Sequence, residues 1–136
     1  MAALAMTALV AAMAYGTHRR NEAAAAEAAS IERATDLANS MLAAFSADDY
    51  EQFSAGFTEA LLESLDEGAY EEWRRPLVTS LGSFVAITDV EKAVTVNHAE
   101  RFVFHAAFER DESVQFAIVL KEQTDRIARV ELKPDK

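Results

Sequence analysis

The chain has 136 residues, which is enough for one domain, and 51% of them are hydrophobic. It contains no cysteine, which excludes disulfides, thiolate metal sites and cysteine nucleophiles. The formal net charge of −10 argues against a nucleic-acid partner, because binding phosphates requires clustered Lys and Arg side chains.

The first segment, residues 1–20, has the character of an anchor or a signal. Met1 to Gly16 carries no charged side chain, and Arg19 and Arg20 follow it. The run is shorter than the about 20 apolar residues of a typical membrane span, and it lacks the basic start of a secretory signal. Three interpretations stay open: a membrane anchor, which the hydropathy favours, a cleaved signal, and a soluble extension. The first two predict a protein that is anchored in a membrane or located in the cell envelope.

Residues 21–29 read Asn-Glu-Ala-Ala-Ala-Ala-Glu-Ala-Ala. This low-complexity stretch has high helix propensity and no large apolar face. It predicts a solvated helical spacer, and the folded domain is expected to span residues 30–136.

Helical spacing of apolar residues predicts that the first half of the domain is helical. Asp49, Thr58 and Asp66 each precede a short apolar run and are predicted N-caps. Pro76 predicts a kink or a break in the last helix, which ends at Gly82. The buried face of the first helix is expected to carry Ile31, Ala34, Ala38, Met41, Leu42 and Phe45, and that of the last helix Tyr70, Trp73, Leu77 and Leu81.

The hydrophobic period changes at Gly82, because apolar residues alternate after it. Four strands are predicted at residues 84–96, 100–109, 113–121 and 126–133, joined by short connections. In the last strand, Ala128, Val130 and Leu132 are expected to share one face. The predicted fold class is α+β, with N-terminal helices packed on a curved four-stranded antiparallel sheet.

Several short stretches make residues 31–133 resemble a known family. The order and spacing of these stretches are similar to those of DUF3887-type domains, which occur alone or attached to hydrolases. The resemblance implies an NTF2-like or cystatin-like cone, in which a curved sheet wraps over helices, but no particular activity or catalytic residue. Ala128-Arg129 departs from the small-Gly step of the family. The stretches are Leu42-Ala-Ala-Phe45, Asp49-Tyr50-Glu51-Gln52-Phe53, Tyr70-Glu-Glu-Trp73, Leu81-Gly82-Ser83-Phe84 and Asp125-Arg126-Ile127-Ala128.

Enzymes with such a cone place an acid or base on the inner face of the sheet. In this chain all residues predicted to point inward from the second and third strands are apolar, which argues against catalysis. Asp49 and Tyr50 are the remaining candidates, and Asp49 is better explained as a helix cap. The inward residues are Phe102, Phe104, Ala106, Phe108, Val114, Phe116, Ile118 and Leu120.

Five aromatic residues are the predicted lining of a pocket for a small apolar ligand. Core packing explains them as well, because a domain of this size must bury its large side chains. The five are Tyr50, Phe53, Tyr70, Trp73 and Phe84.

The opposite face of the sheet is unusually apolar for a solvated surface. An exposed apolar patch marks a partner surface, so the pattern predicts a homodimer or the docking of another domain. The interface is expected to contain Val103, His105 and Val119, with Ala107 and Ala117 beside them.

No metal or cofactor is predicted. The three histidines, His18, His98 and His105, lack metal-ligand spacing. The four scattered glycines do not form a phosphate-binding loop. The sequence therefore favours a non-catalytic binding or assembly module tethered at the membrane by its N-terminus. The alternative is a small-molecule-binding or isomerase/hydratase-like protein that uses the interior of the cone.

Overall fold

The computed structural model describes residues 14–96, 99–121 and 124–134, and the side chains of residues 25–91, 99–121 and 124–134. The chain divides into two compact units, Met1–Glu32 and Arg33–Lys136. In the first unit the described residues are helical, and residues 25–29 are exposed.

The apolar residues 1–13 lie outside the described residues, so the membrane anchor stays a prediction. Within the described ranges, no helix combines the length and the apolar character that crossing a membrane requires.

Helix α1 contributes the apolar face that the sequence predicts. Ala34, Ala38, Leu42 and Phe45 are fully buried in the second unit. The ring of Phe45 packs edge-on against that of Phe108, with 6.4 Å between the centroids, which joins the helix to the sheet. The helices are α1 (Ala14–Ala47), α2 (Tyr50–Phe53), α3 (Glu59–Ser64) and α4 (Glu67–Leu81).

All three predicted N-caps are confirmed. The side chain of Asp49 accepts a hydrogen bond from the backbone N–H three residues later over 3.2 Å, and Thr58 and Asp66 do the same over 3.2 and 2.9 Å. Each bond satisfies one of the free N–H groups at a helix start. The short polar residues of the sequence therefore fix where α2, α3 and α4 begin.

Helix α1 ends in a Schellman motif. The N–H of Asp49 bonds to the carbonyl of Ala44 over 2.9 Å, and the N–H of Asp48 bonds to that of Phe45 over 3.3 Å. Asp48 occupies the left-handed position of the motif, with φ 57°. Aspartate tolerates this conformation better than most residues, so the chain can reverse here without glycine.

Helix α4 is continuous through Pro76, so the expected break does not occur. Pro76 lies on the exposed side of the helix, where water can solvate the carbonyl that loses its partner. The helix ends at Gly82, whose φ of 76° and ψ of −155° suit glycine alone.

The second half of the domain is an antiparallel sheet in the order β1-β2-β3-β4, which confirms the predicted α+β class. The predicted turn at Asn97 and His98 lies outside the described residues. All eight predicted inward residues of β2 and β3 are buried. The strands are β1 (Phe84–Val96), β2 (Ala99–Phe108), β3 (Asp111–Leu120) and β4 (Ile127–Lys133).

Strand β4 begins with a register shift, so the prediction that Ala128 shares a face with Val130 and Leu132 is wrong. Leu120 lies opposite Ile127 and Val119 lies opposite Arg129, so Ala128 is the extra residue of a β-bulge. Ile127 therefore joins the buried inner face, and Ala128 leaves it. A strict alternation rule fails at this point because it assumes one residue for each residue of the partner strand.

Candidate functional site

A hollow of about 610 Å³ lies between helix α3 and the start of strand β4, and we call it the α3–β4 groove. Its volume falls in the range of small-molecule sites in proteins. The groove is lined by Phe57, Thr58, Glu59, Ala60, Leu62, Lys121, Thr124, Arg126 and Ala128.

Backbone hydrogen bonds hold the two walls of the groove together. Phe57 forms a short parallel bridge with Ile127. The N–H of Ile127 donates to the carbonyl of Gly56 over 2.7 Å, and the N–H of Thr58 donates to the carbonyl of Ile127 over 2.9 Å. Because Thr58 also caps α3, the start of this helix is tied directly to the first residue of β4.

The groove presents an exposed apolar side chain at its wall. Leu62 is 40% exposed, although the neighbouring Phe57 is buried. Among the described residues, only one other large hydrophobic side chain is exposed, Val85 on strand β1, at 62%. A ligand in the groove would remove apolar surface of Leu62 from water, which favours binding.

Two basic side chains line the groove: Lys121, directly after the end of β3, and Arg126, directly before the start of β4. The N–H of Lys121 donates to the carbonyl of Arg126 over 2.8 Å, so the two residues face each other across the hairpin. Both are exposed, and neither forms an ion pair with a described residue. Glu59 is the one acidic residue among the described residues of the lining, so this described lining is net positive in a chain of net charge −10.

The sequence predicts no residue of this groove as a binding residue, and it indicates Thr58 only as a helix cap and Ala128 only as a strand residue. The groove residues come from two distant segments, which the Phe57–Ile127 bridge brings together. The signal that was available is weak: Lys121 and Arg126 stand at the two ends of a polar turn.

The predicted aromatic lining forms a packed cluster. Phe53 and Tyr70 are fully buried, with 5.0 Å between their ring centroids. The ring centroid of Tyr50 lies 5.0 Å from that of Tyr70, and the ring centroid of Trp73 lies 6.0 Å from that of Phe53. These contacts support the core-packing interpretation of the cluster.

Phe84 lies apart from the other four predicted residues and packs on Phe108, with 5.7 Å between the rings. None of the five lines the α3–β4 groove. Their role in ligand binding stays a prediction.

The outer face of the sheet is less exposed than the sequence predicts. Val103 and Ala117 lie opposite each other, and each is flanked by a glutamate on its other side, Glu91 and Glu131 respectively. Val103 is 7% exposed and Ala117 5%, so the centre of the expected apolar patch is covered within the chain itself.

Charged pairs run along this outer face. An Nη2 of Arg101 lies 3.3 Å from a carboxylate oxygen of Glu131, and Nε2 of His105 lies 3.0 Å from one of Glu91. Val119 is half-buried. The homodimer through Val103, His105 and Val119 stays a prediction, although Val103 itself is not an exposed residue.

A second hollow of about 350 Å³ lies beside His105. It is lined by His105, Ser113, Gln115, Lys133 and Pro134. Among the described residues, no group of three His, Asp or Glu side chains is placed to hold a metal ion. The side chains of His18 and His98 lie outside the described residues.

Two titratable groups near the end of α1 have shifted pKa values. Burial raises the pKa of the Tyr70 hydroxyl to about 12, and its oxygen has no hydrogen-bond partner among the described residues. A hydrogen bond with the Asp48 side chain raises the pKa of the Glu71 carboxyl. Neither group lines the α3–β4 groove, so these shifts belong to the packing of the helices.

Comparison with protein-family models, with curated proteins and with solved structures finds no match for this chain. The fold and the site define an α+β domain with helices followed by a four-stranded antiparallel sheet, and with a basic-rimmed groove at one end of that sheet. The NTF2-like or cystatin-like arrangement and the DUF3887-type resemblance stay predictions.

Proposed function

We propose that this chain is a non-catalytic binding module whose ligand is a small apolar molecule held in the α3–β4 groove. The observation that carries the proposal is the hollow of about 610 Å³ beside an exposed Leu62. Exposed apolar surface inside a concave site is the usual source of affinity for small molecules.

The backbone bonds that frame the groove support a preformed site. Phe57 and Thr58 are fixed to Ile127 before any ligand arrives. A site that is already ordered loses little conformational entropy on binding, so more of the apolar burial contributes to affinity.

The side chains of the groove favour binding over catalysis. A general acid or base works best when its pKa lies near the operating pH, and the lining contains no histidine. The hydroxyl of Thr58 already accepts the cap hydrogen bond from Leu61, and Glu59 lies in the first turn of α3.

The apolar segment of residues 1–16 supports a tether at the membrane. A module tethered there would lie next to the membrane, into which apolar molecules partition. The isomerase/hydratase-like alternative would place its chemistry in the interior of the cone, whose inward residues on β2 and β3 are apolar.

The proposal is tested by titrating decanol into the isotope-labelled full chain and following backbone amide signals. We expect the signals of Leu62 and Ala128 to shift with a saturating dependence. Leu62→Asn should weaken binding by roughly threefold to tenfold, since it removes apolar surface from the groove.

Val85→Asn is the matched control, because it removes the other exposed large hydrophobic side chain outside the groove. It should leave the affinity unchanged. Equal effects of the two substitutions, or shifts confined to amides outside the groove, would overturn the proposal.

A further inference from the structure

We infer that the ligand of the α3–β4 groove is an anionic amphiphile, namely a single-chain carboxylate whose head group binds Lys121 and Arg126. This inference rests on the proposed function and narrows its ligand to a molecule that combines an apolar chain with an anionic head group. The juxtaposition behind it is an apolar wall next to two cations that form no ion pair with a described residue, one after the end of β3 and one before the start of β4.

The backbone places the two cations side by side. The hydrogen bond of 2.8 Å from the Lys121 N–H to the Arg126 carbonyl aligns them as cross-strand neighbours. A carboxylate has two oxygens and can therefore accept from the Arg126 guanidinium and the Lys121 ammonium together.

The two cations belong to a strongly acidic chain. Asp and Glu outnumber Lys and Arg by 23 to 13. Several described arginines lie within 4 Å of a carboxylate oxygen. These paired arginines are Arg33, Arg74, Arg101 and Arg129.

In contrast, Lys121 and Arg126 lie together at the α3–β4 groove, where a bound ligand can supply an anionic partner. Arg75 and Lys133 are also exposed and form no ion pair with a described residue, but they do not line the groove. They therefore serve as controls.

The apolar part of the lining indicates that the other end of the ligand is a hydrocarbon chain. Phe57, Ala60, Leu62 and Ala128 provide carbon surface, and the cations lie on the same lining. A purely apolar molecule would leave both cations without a partner, and an inorganic anion would leave Leu62 exposed. An acyl chain with a terminal carboxylate satisfies both parts of the groove at once.

The experiment compares decanoate with decanol, which share a chain length and differ in the head group. Both are titrated into the labelled full chain, and affinities are taken from the groove amides of Leu62 and Ala128. We expect decanoate to bind about tenfold more tightly, since two exposed charge contacts contribute about that much together. Added salt should weaken decanoate binding and leave decanol binding unchanged.

The double variant Lys121→Gln/Arg126→Gln should remove the preference for decanoate and retain decanol binding. Arg75→Gln/Lys133→Gln changes the net charge equally and should retain the preference. Equal binding of decanoate and decanol by the unmodified chain would overturn the inference and leave the groove as an apolar site. Binding of neither molecule at the groove amides would overturn the proposed function as well.

Discussion

The Nε atom of Arg74 donates a hydrogen bond of 2.6 Å to the carbonyl oxygen of Phe45, so a side chain of helix α4 closes the C-terminal end of helix α1. Its Nη2 atom donates to the carbonyl of Ser46 over 3.3 Å, and its guanidinium lies 5.6 Å from the centroid of the Phe45 ring. Carbonyls in the last turn of a helix lack helical partners. Arg74 therefore contributes polar and apolar contacts at one junction.

Replacing Arg74 by methionine should lower the free energy of unfolding by about 2 to 3 kcal/mol, because two carbonyls lose a charged donor in a partly buried place. Arg74→Lys should recover only part of this loss, since an ammonium lacks the planar fork. Urea denaturation measures both effects. Arg75→Met, on the exposed side of the same helix, is the control and should change stability little. Equal effects at the two positions would contradict the role of Arg74.

Gly82→Ala should destabilise the domain by about 2 to 3 kcal/mol, because its φ of 76° and ψ of −155° are strained for any residue with a Cβ. An added Cβ would also lie 2.8 Å from Oε1 of Glu109, which accepts a hydrogen bond from the Ser83 N–H. Gly68→Ala is the matched control, since its added Cβ meets its nearest neighbour at 3.6 Å. This control should be neutral or stabilising by up to about 1 kcal/mol. A thermal-unfolding series that ranks the two variants the other way would refute the argument.

Tyr70→Phe should raise stability by about 1 kcal/mol at neutral pH, because the buried hydroxyl has no hydrogen-bond partner in the described part of the chain. The pKa of this hydroxyl rises from 10.0 to about 12 on folding, so the folded state holds the proton more tightly than the unfolded state does. The free energy of unfolding is therefore not affected by this titration below pH 10, and it falls as the pH rises towards 12 because the unfolded state releases the proton more easily. Over this window the unmodified chain should lose about 2 to 3 kcal/mol that the phenylalanine variant keeps. Parallel loss in both chains would show that other groups cause it.

The predicted homodimer should depend on Val119 more than on Val103. Val103 is 7% exposed, so a charge there would unfold the domain and report nothing about an interface. Val119 is half-buried and pairs with Arg101 and Arg129, so Val119→Glu gains favourable neighbours within one chain. A dimer through this face should dissociate in the variant, as measured by light scattering on the full chain. Val85→Glu is the control, and an unchanged mass in the Val119 variant would exclude this interface.

Local and periodic features were predictable from the sequence. Asp49, Thr58 and Asp66 cap helices because a short polar side chain bonds to an N–H only three residues away. The inward face of β2 and β3 followed from alternation, since both strands keep a regular register over their central residues.

The groove and the outer face depend on contacts that no local rule contains. The Phe57–Ile127 bridge joins distant segments, and the bulge at Ala128 shifts the register of one strand against another. Val103 lies between Glu91 and Ala117 on the adjacent strands, so its low exposure depends on the pairing of strands and not on its own side chain. The same holds for Tyr70, whose unpaired hydroxyl reflects the ring packing around it.

The bridge between Phe57 and Ile127 has a further effect at the margin of the sheet, because β4 is a terminal strand. Terminal strands offer free N–H and C=O groups to other molecules and are a common route to aggregation. Residues 56–58 occupy these groups at Ile127, and the bulge at Ala128 distorts the next pair. If α3 became disordered, the edge of β4 would be exposed. The first observable effect would then be aggregation of the protein while the remaining helices stay folded.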